Sequence, residues 1–96
     1  MSADFSSIRN HHEQAVFRAV MDMLPRFPGV RAQPDLLADV ACVALNRLQP
    51  RYIRHEVDYA FYLTERERQE QDRQVAESVE FAFGFVQARA AMRARG

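Results

Sequence analysis

Four prolines, Pro25, Pro28, Pro34 and Pro50, constrain this chain more than any other feature, because they leave only three stretches long enough for a regular helix. Proline has no N–H to donate, and its ring pushes the preceding residue toward extended geometry, so a helix stops ahead of it or restarts on it. In the first stretch the apolar positions are Phe5, Ile8, His12, Ala15, Val16, Ala19, Val20, Met23 and Leu24, mostly on steps of three and four. That spacing predicts a helix from about Phe5 to Leu24, capped by Asp4, Ser6 or Ser7 and stopped by Pro25. Residues 25–34, with three of the prolines and Gly29, read as a loop that carries Arg26 and Arg31. Pro34 suits a first helical turn and Asp35 a helix N-terminus, so a second helix follows with Leu36, Leu37, Val40, Ala41, Ala44, Leu45 and Leu48 as its stripe. Cys42 and Val43 widen its buried face, which makes it the central helix, and it ends before Pro50.

Residues 51–63 are ambiguous. Tyr52, Ile53, Val57, Tyr59, Phe61 and Tyr62 favour short extended pieces, yet Ile53, Val57 and Phe61 also share a helical spacing, so a helical turn around Val57 to Phe61 competes. Thr64-x-x-Glu67 is a capping-box pattern that opens the longest helix, running to about Arg93. Residues 65–74 are almost wholly polar and read as a solvated face, with Glu65–Arg68 and Glu70–Arg73 spaced to pair. Beyond Val75 the helix is apolar on two sides: Val75, Val79, Ala82, Phe83, Val86 and Ala90 on one, Phe81, Phe85, Ala88 and Met92 on the other. Such a helix needs two partners. The first side is expected to pack on the other helices, and the second on a symmetry mate, the alternative being that Phe81 and Phe85 cover helix one of the same chain. Gly84 in mid-helix suggests a close helix approach.

The expected architecture is therefore mainly α: a single domain over residues 1–96, three main helices with a short extended segment between the second and third, packed as a homodimer. Ninety-six residues bury a modest core, and dimerisation is the simplest added source of stability. The lone Cys42 excludes an internal disulfide and reads as a small buried hydrophobe. No apolar run is long enough for a membrane span and no charged-then-apolar signal follows Met1, which points to a cytoplasmic protein without a membrane partner. A net charge of zero argues against DNA as a partner, since polyanion binding needs a basic surplus. All thirteen cationic residues, however, are arginine. GC-rich codon usage is the simpler explanation, but arginine also offers a planar fork for phosphates and guanine edges.

Catalytic and metal chemistry find little support. His11, His12, His55, Glu13 and Cys42 are the candidate metal ligands and none has a ligand spacing, so neither a metal nor a cofactor is expected. Cys42 has no basic neighbour to activate it, Asp39 and Glu13 are explained by a helix dipole or an arginine partner, and the three glycines form no phosphate loop. The expectation is a protein that is not an enzyme. What stands out is the end of helix two, where Asn46, Arg47, Arg51, Tyr52 and Arg54 surround Pro50. Arg47, Arg51 and Arg54 lie on steps of four and three and would converge on one anion if the chain bends at the proline, against the plain alternative of a rim of solvated arginines.

Two motifs carry a family resemblance: Asn10-x-x-Glu13-x-x-Val16 on helix one, and Asp39-Val40-x-x-x-Ala44-Leu45-Asn46-x-Leu48-x-Pro50-x-Tyr52 across the end of helix two. With these the chain resembles the ComFB (late competence development protein) family over nearly its whole length. The resemblance implies a small helical homodimer and, for some members, a receptor for cyclic dinucleotide second messengers that govern motility, pili or competence. Ligand binding is then expected at Asn46, Arg47, Arg51, Tyr52 and Arg54, with arginine readout of O6 and N7 favouring cyclic di-GMP over cyclic di-AMP. A downstream protein, not identified by the sequence, would receive the signal; the alternative is a dimeric adaptor without a small ligand. Family members can carry zinc-binding cysteines ahead of the Asp39 position, but residues 30–37 here contain none, so no metal is carried over.

Overall fold

The computed structural model describes residues 2–30 and 33–95, and Arg31 lies outside the described residues. Its order is β1 (Arg9–Asn10), α1 (His12–Met23), a 3-10 turn (Leu24–Arg26), α2 (Pro34–Arg47), β2 (Tyr52–Ile53), α3 (Glu56–Tyr62) and α4 (Glu65–Arg95). The chain is mainly helical, as its sequence predicts. The prolines act where expected: Pro25 lies in the 3-10 turn that ends α1, Pro34 opens α2, and α2 stops at Arg47 ahead of Pro50.

Helix one starts later than its periodicity suggests. Phe5 and Ile8 are exposed and lie in a turn closed by Ile8 N–H donating to the Phe5 carbonyl at 3.1 Å, and Asp4 accepts from Ser6 N–H at 2.9 Å within that turn without capping α1. Arg9 and Asn10 instead pair antiparallel with Ile53 and Tyr52. A strand 42 residues away in sequence claims the backbone that a continued helix would have used, a tertiary preference that local spacing does not report. The ambiguous segment 51–63 divides between both readings: Tyr52–Ile53 is extended and Glu56–Tyr62 is a short helix.

The core is built where α4 lies across α1 and α2, from Val16 and Val20 of α1, Val40 and Ala44 of α2, Leu48 just beyond it, and Val75, Val79, Ala82, Phe83 and Val86 of α4. Two loop residues that the proline-rich composition concealed complete it. Val30 is fully buried, and Phe27 stacks on Phe83 with ring centroids 4.4 Å apart and planes 2° from parallel. The predicted two-sided character of α4 holds, since Phe81, Phe85 and Met92 are 44%, 45% and 71% exposed. Phe81 and Phe85 stack on each other, centroids 6.1 Å apart.

Two expectations are corrected. Cys42 is exposed, because it falls on the side of α2 turned away from Val40 and Ala44. Gly84 meets nothing: a Cβ built there has no neighbour within 4 Å, so no close helix approach within this chain accounts for it.

Candidate functional site

The chain reverses at Pro50 and runs back past the start of α1, and Asn10 fastens it there. Asn10 Oδ1 accepts from Arg51 N–H at 3.1 Å and from His12 N–H at 3.2 Å, while His11 N–H donates to the Arg51 carbonyl at 2.7 Å. The Asn10 motif and the Asp39–Tyr52 motif thus meet at one point, through a contact between residues 41 apart in the chain. Most of the longer motif is structural. Val40, Ala44 and Leu48 are core, Asp39 lies 3.5 Å from Arg89 of α4, and the Asn46 amide donates to the Cys42 carbonyl at 3.0 Å within its own helix.

Between this reversed segment and α4 lies an open groove in two adjoining halves of about 290 and 370 Å³. Arg47, Leu48, Gln49, Gln74, Glu77 and Ser78 line the first half. The second is lined by His12, Gln49, Arg51, Arg66, Glu67, Glu70, Gln71 and Gln74, so Gln49 and Gln74 are common to both. The structure therefore brings Arg47 and Arg51 to one feature. It does not bring Arg54, Tyr52 or Asn46 to it: Arg54 borders shallow depressions beside α3, Tyr52 is 68% exposed on the β-ribbon, and Asn46 is occupied in its helix. In an extended strand, successive side chains point to opposite faces, so the steps of four and three that align residues on a helix lose their meaning beyond Pro50.

Each groove arginine has an aromatic ring beside it, in stacking contact for Arg47 and at the edge of cation–π range for Arg51. The Arg47 guanidinium carbon lies 3.8 Å from the centroid of Phe81, and that of Arg51 6.0 Å from the centroid of Tyr59. Stacking uses the face of the guanidinium and leaves its in-plane N–H donors available. Among the described residues, neither arginine forms an ion pair with a carboxylate, whereas Arg9, Arg26, Arg73 and Arg89 all do. Tyr59 is itself fixed by Gln71, whose amide donates to its hydroxyl at 2.6 Å, and by the His11 ring at 4.3 Å.

His12 is buried at the floor of the Arg51 half. Burial pushes its pKa down, and His11 and Arg51 push it further, against a raising contribution from the Gln49 backbone. The carboxylates in the lining are engaged by neighbours. Glu67 accepts from the Thr64 hydroxyl at 3.0 Å, Glu77 accepts from Arg73 at 2.7 Å, and Glu70 accepts two hydrogen bonds from the same Arg73, which hold its carboxyl below the usual range. Sequence reasoning missed Gln49, Arg66, Gln71 and Gln74. The polar run that opens α4 looks like any solvated face until the segment after Pro50 is folded over it. No group of histidine, cysteine and acidic residues that could hold a metal ion occurs among the described residues, and no helix there is long and apolar enough to cross a membrane.

The family model of late competence development protein ComFB matches residues 9–90 of the 96-residue chain. The chain belongs to the ComFB family. No curated protein matches the chain individually. The ComFB match begins at Arg9, the first residue of β1, and so takes in the Asn10 junction, both halves of the groove and the buried face of α4.

Proposed function

We propose that this ComFB-family chain is a receptor for a cyclic dinucleotide, cyclic di-GMP before cyclic di-AMP, which acts without catalysis as a homodimer and signals to a protein partner. The observation that carries the reading is the pair Arg47 and Arg51 on one groove, the first stacked on Phe81, the second at the edge of cation–π range of Tyr59, and neither paired to a carboxylate among the described residues. A cyclic dinucleotide presents two phosphates and two purines. Planar guanidinium groups with free edges suit both the phosphate oxygens and the O6 and N7 edge of guanine. Gln49, Gln71 and Gln74 add amide donors and acceptors between the arginines, and Arg66 adds a third cation from α4. This reading keeps Arg47 and Arg51 and places Asn46, Tyr52 and Arg54 outside the ligand contacts.

Binding would tie the segment after Pro50 to α4 and so favour one arrangement of β2 and α3, whose Val57, Phe61 and Tyr62 are 79%, 84% and 80% exposed. That same surface favours the second reading, a dimeric adaptor that meets its partner with no small ligand.

Thermal unfolding with and without cyclic di-GMP, cyclic di-AMP and GTP separates the two. Ligand at about a hundred times its dissociation constant adds roughly 2.7 kcal/mol, which moves the midpoint of a domain this size by about 10–20 °C. The expected outcome is a shift with cyclic di-GMP and none with GTP, reduced in Arg51→Ala while the unliganded midpoint stays within about 2 °C of wild type. No shift with any of the three selects the adaptor.

A further inference from the structure

We propose that Arg73 is a positioning residue of the groove, which sets the sign of its charge by holding Glu70 and Glu77, one carboxylate from each half of the lining. The inference rests on reading the groove as an anion site. The side chains lining its two halves include three arginines, Arg47, Arg51 and Arg66, against three carboxylates, Glu67, Glu70 and Glu77. Left to themselves these balance, and a balanced groove offers an anion no net attraction.

Arg73 changes that balance from outside the lining. Its Nε donates to Glu70 Oε2 at 3.2 Å and its Nη2 to Glu70 Oε1, a two-point pairing, while its Nη1 donates to Glu77 Oε1 at 2.7 Å. Gln74, common to both halves, donates to Glu70 Oε1 at 3.2 Å. One guanidinium thus engages a carboxylate at the Arg51 end and another at the Arg47 end. The spacing of three and four residues along α4 puts Glu70, Arg73 and Glu77 on one helix face, where such a double pairing forms readily. As a stability device this exposed trio contributes little. Its consequence lies in the groove: with Glu70 and Glu77 held, Glu67 is the one lining carboxylate without an arginine partner among the described residues, and Arg47, Arg51 and Arg66 outweigh it for an incoming anion.

The test compares the full chain with Arg73→Ala and with the triple variant Arg73→Ala, Glu70→Gln, Glu77→Gln. The first readout needs no ligand. His12 lines the same half as Glu70, so its imidazole titration, followed by NMR, reports the local charge. Arg73→Ala is expected to raise the His12 pKa, and the triple variant to return it to the wild-type value or below. The second readout is cyclic di-GMP affinity by calorimetry, expected to fall about tenfold in Arg73→Ala and to recover in the triple variant. Glutamines do not rebuild the lost ion pairs, so recovery identifies charge as the cause. A purely structural Arg73 gives the opposite pattern, an unmoved His12 titration and equal weakening in both variants, and either result overturns the proposal. Should wild type bind no cyclic di-GMP, the receptor reading falls, and the His12 titration alone decides the role of Arg73.

Discussion

Asn10 accepts two backbone hydrogen bonds through one oxygen, from Arg51 and His12, and so does at a single residue what a longer β-ribbon would do with several. Removing that oxygen leaves the part-buried His12 N–H without its acceptor, at a cost of about 1–3 kcal/mol, and the exposed Arg51 N–H to water, at less. Asn10→Ala should therefore lower stability by about 2 kcal/mol in urea denaturation, and Asn10→Asp, which keeps an oxygen in place, by clearly less. Equal losses in the two variants would mean that the side chain acts through packing. Because Arg51 is held by the same contact, Asn10→Ala should also weaken any ligand that Arg51 binds.

At the scale of the element, α4 does two jobs along one continuous helix. Its second half supplies the buried Val75, Val79, Ala82, Phe83 and Val86, while residues 65–74 are polar and form the groove wall. The first turns have little core contact to hold them, so local devices matter there. Glu67 N–H donates to the Thr64 hydroxyl at 3.1 Å, and Arg68 N–H to the Thr64 carbonyl at 3.0 Å. Thr64→Ala should cost about 1 kcal/mol of local helix stability, read as faster amide exchange across residues 65–70 with the exchange of the core amides of residues 79–86 little changed. Uniform acceleration along the helix would instead show that the cap is coupled to global unfolding. α3 has no buried residue and is held through Tyr59, on Gln71 and His11, and through Glu56, 3.8 Å from Arg9 and 3.5 Å from His11.

The whole molecule is more open than a chain of this length needs to be. Its radius of gyration is 15.7 Å and its extents are 51 × 40 × 19 Å, against about 12.5 Å expected for a compact 96-residue domain. Stacked Phe81 and Phe85, with Arg47 and Arg89 beside their rings, form a strip along α4 that stays nearly half exposed. Under the proposed homodimer this strip and Met92 meet their counterparts about a two-fold axis, which would also set Arg47 at the edge of the subunit contact. Phe81→Asp with Phe85→Asp should then give a monomer in sedimentation equilibrium with its helical circular dichroism retained. A wild-type chain that sediments as a monomer would reject the arrangement.

By itself the sequence determined the helical class, the extent of α2 and α4, the buried stripe of α4 and the family. Each of these rests on information local in the chain: proline geometry at Pro34 and Pro50, the Thr64 cap, and apolar spacing over three to eight turns. Tertiary structure decided the rest. It replaced the first turns of the expected helix one by a strand, because Arg9 and Asn10 found backbone partners at Tyr52 and Ile53. Val30 and Phe27 became core because a loop was closed over Phe83. The candidate arginines were sorted in the same way: Arg47, Arg51 and Arg54 were legible together as charges around Pro50, but only the fold of that segment onto α4 put Arg47 and Arg51 on one groove with Arg66 and Gln74 and left Arg54 outside it. Helical and strand periodicities tell which residues share a face of one element, and they carry no information about which faces of different elements the chain reversal at a proline will bring together.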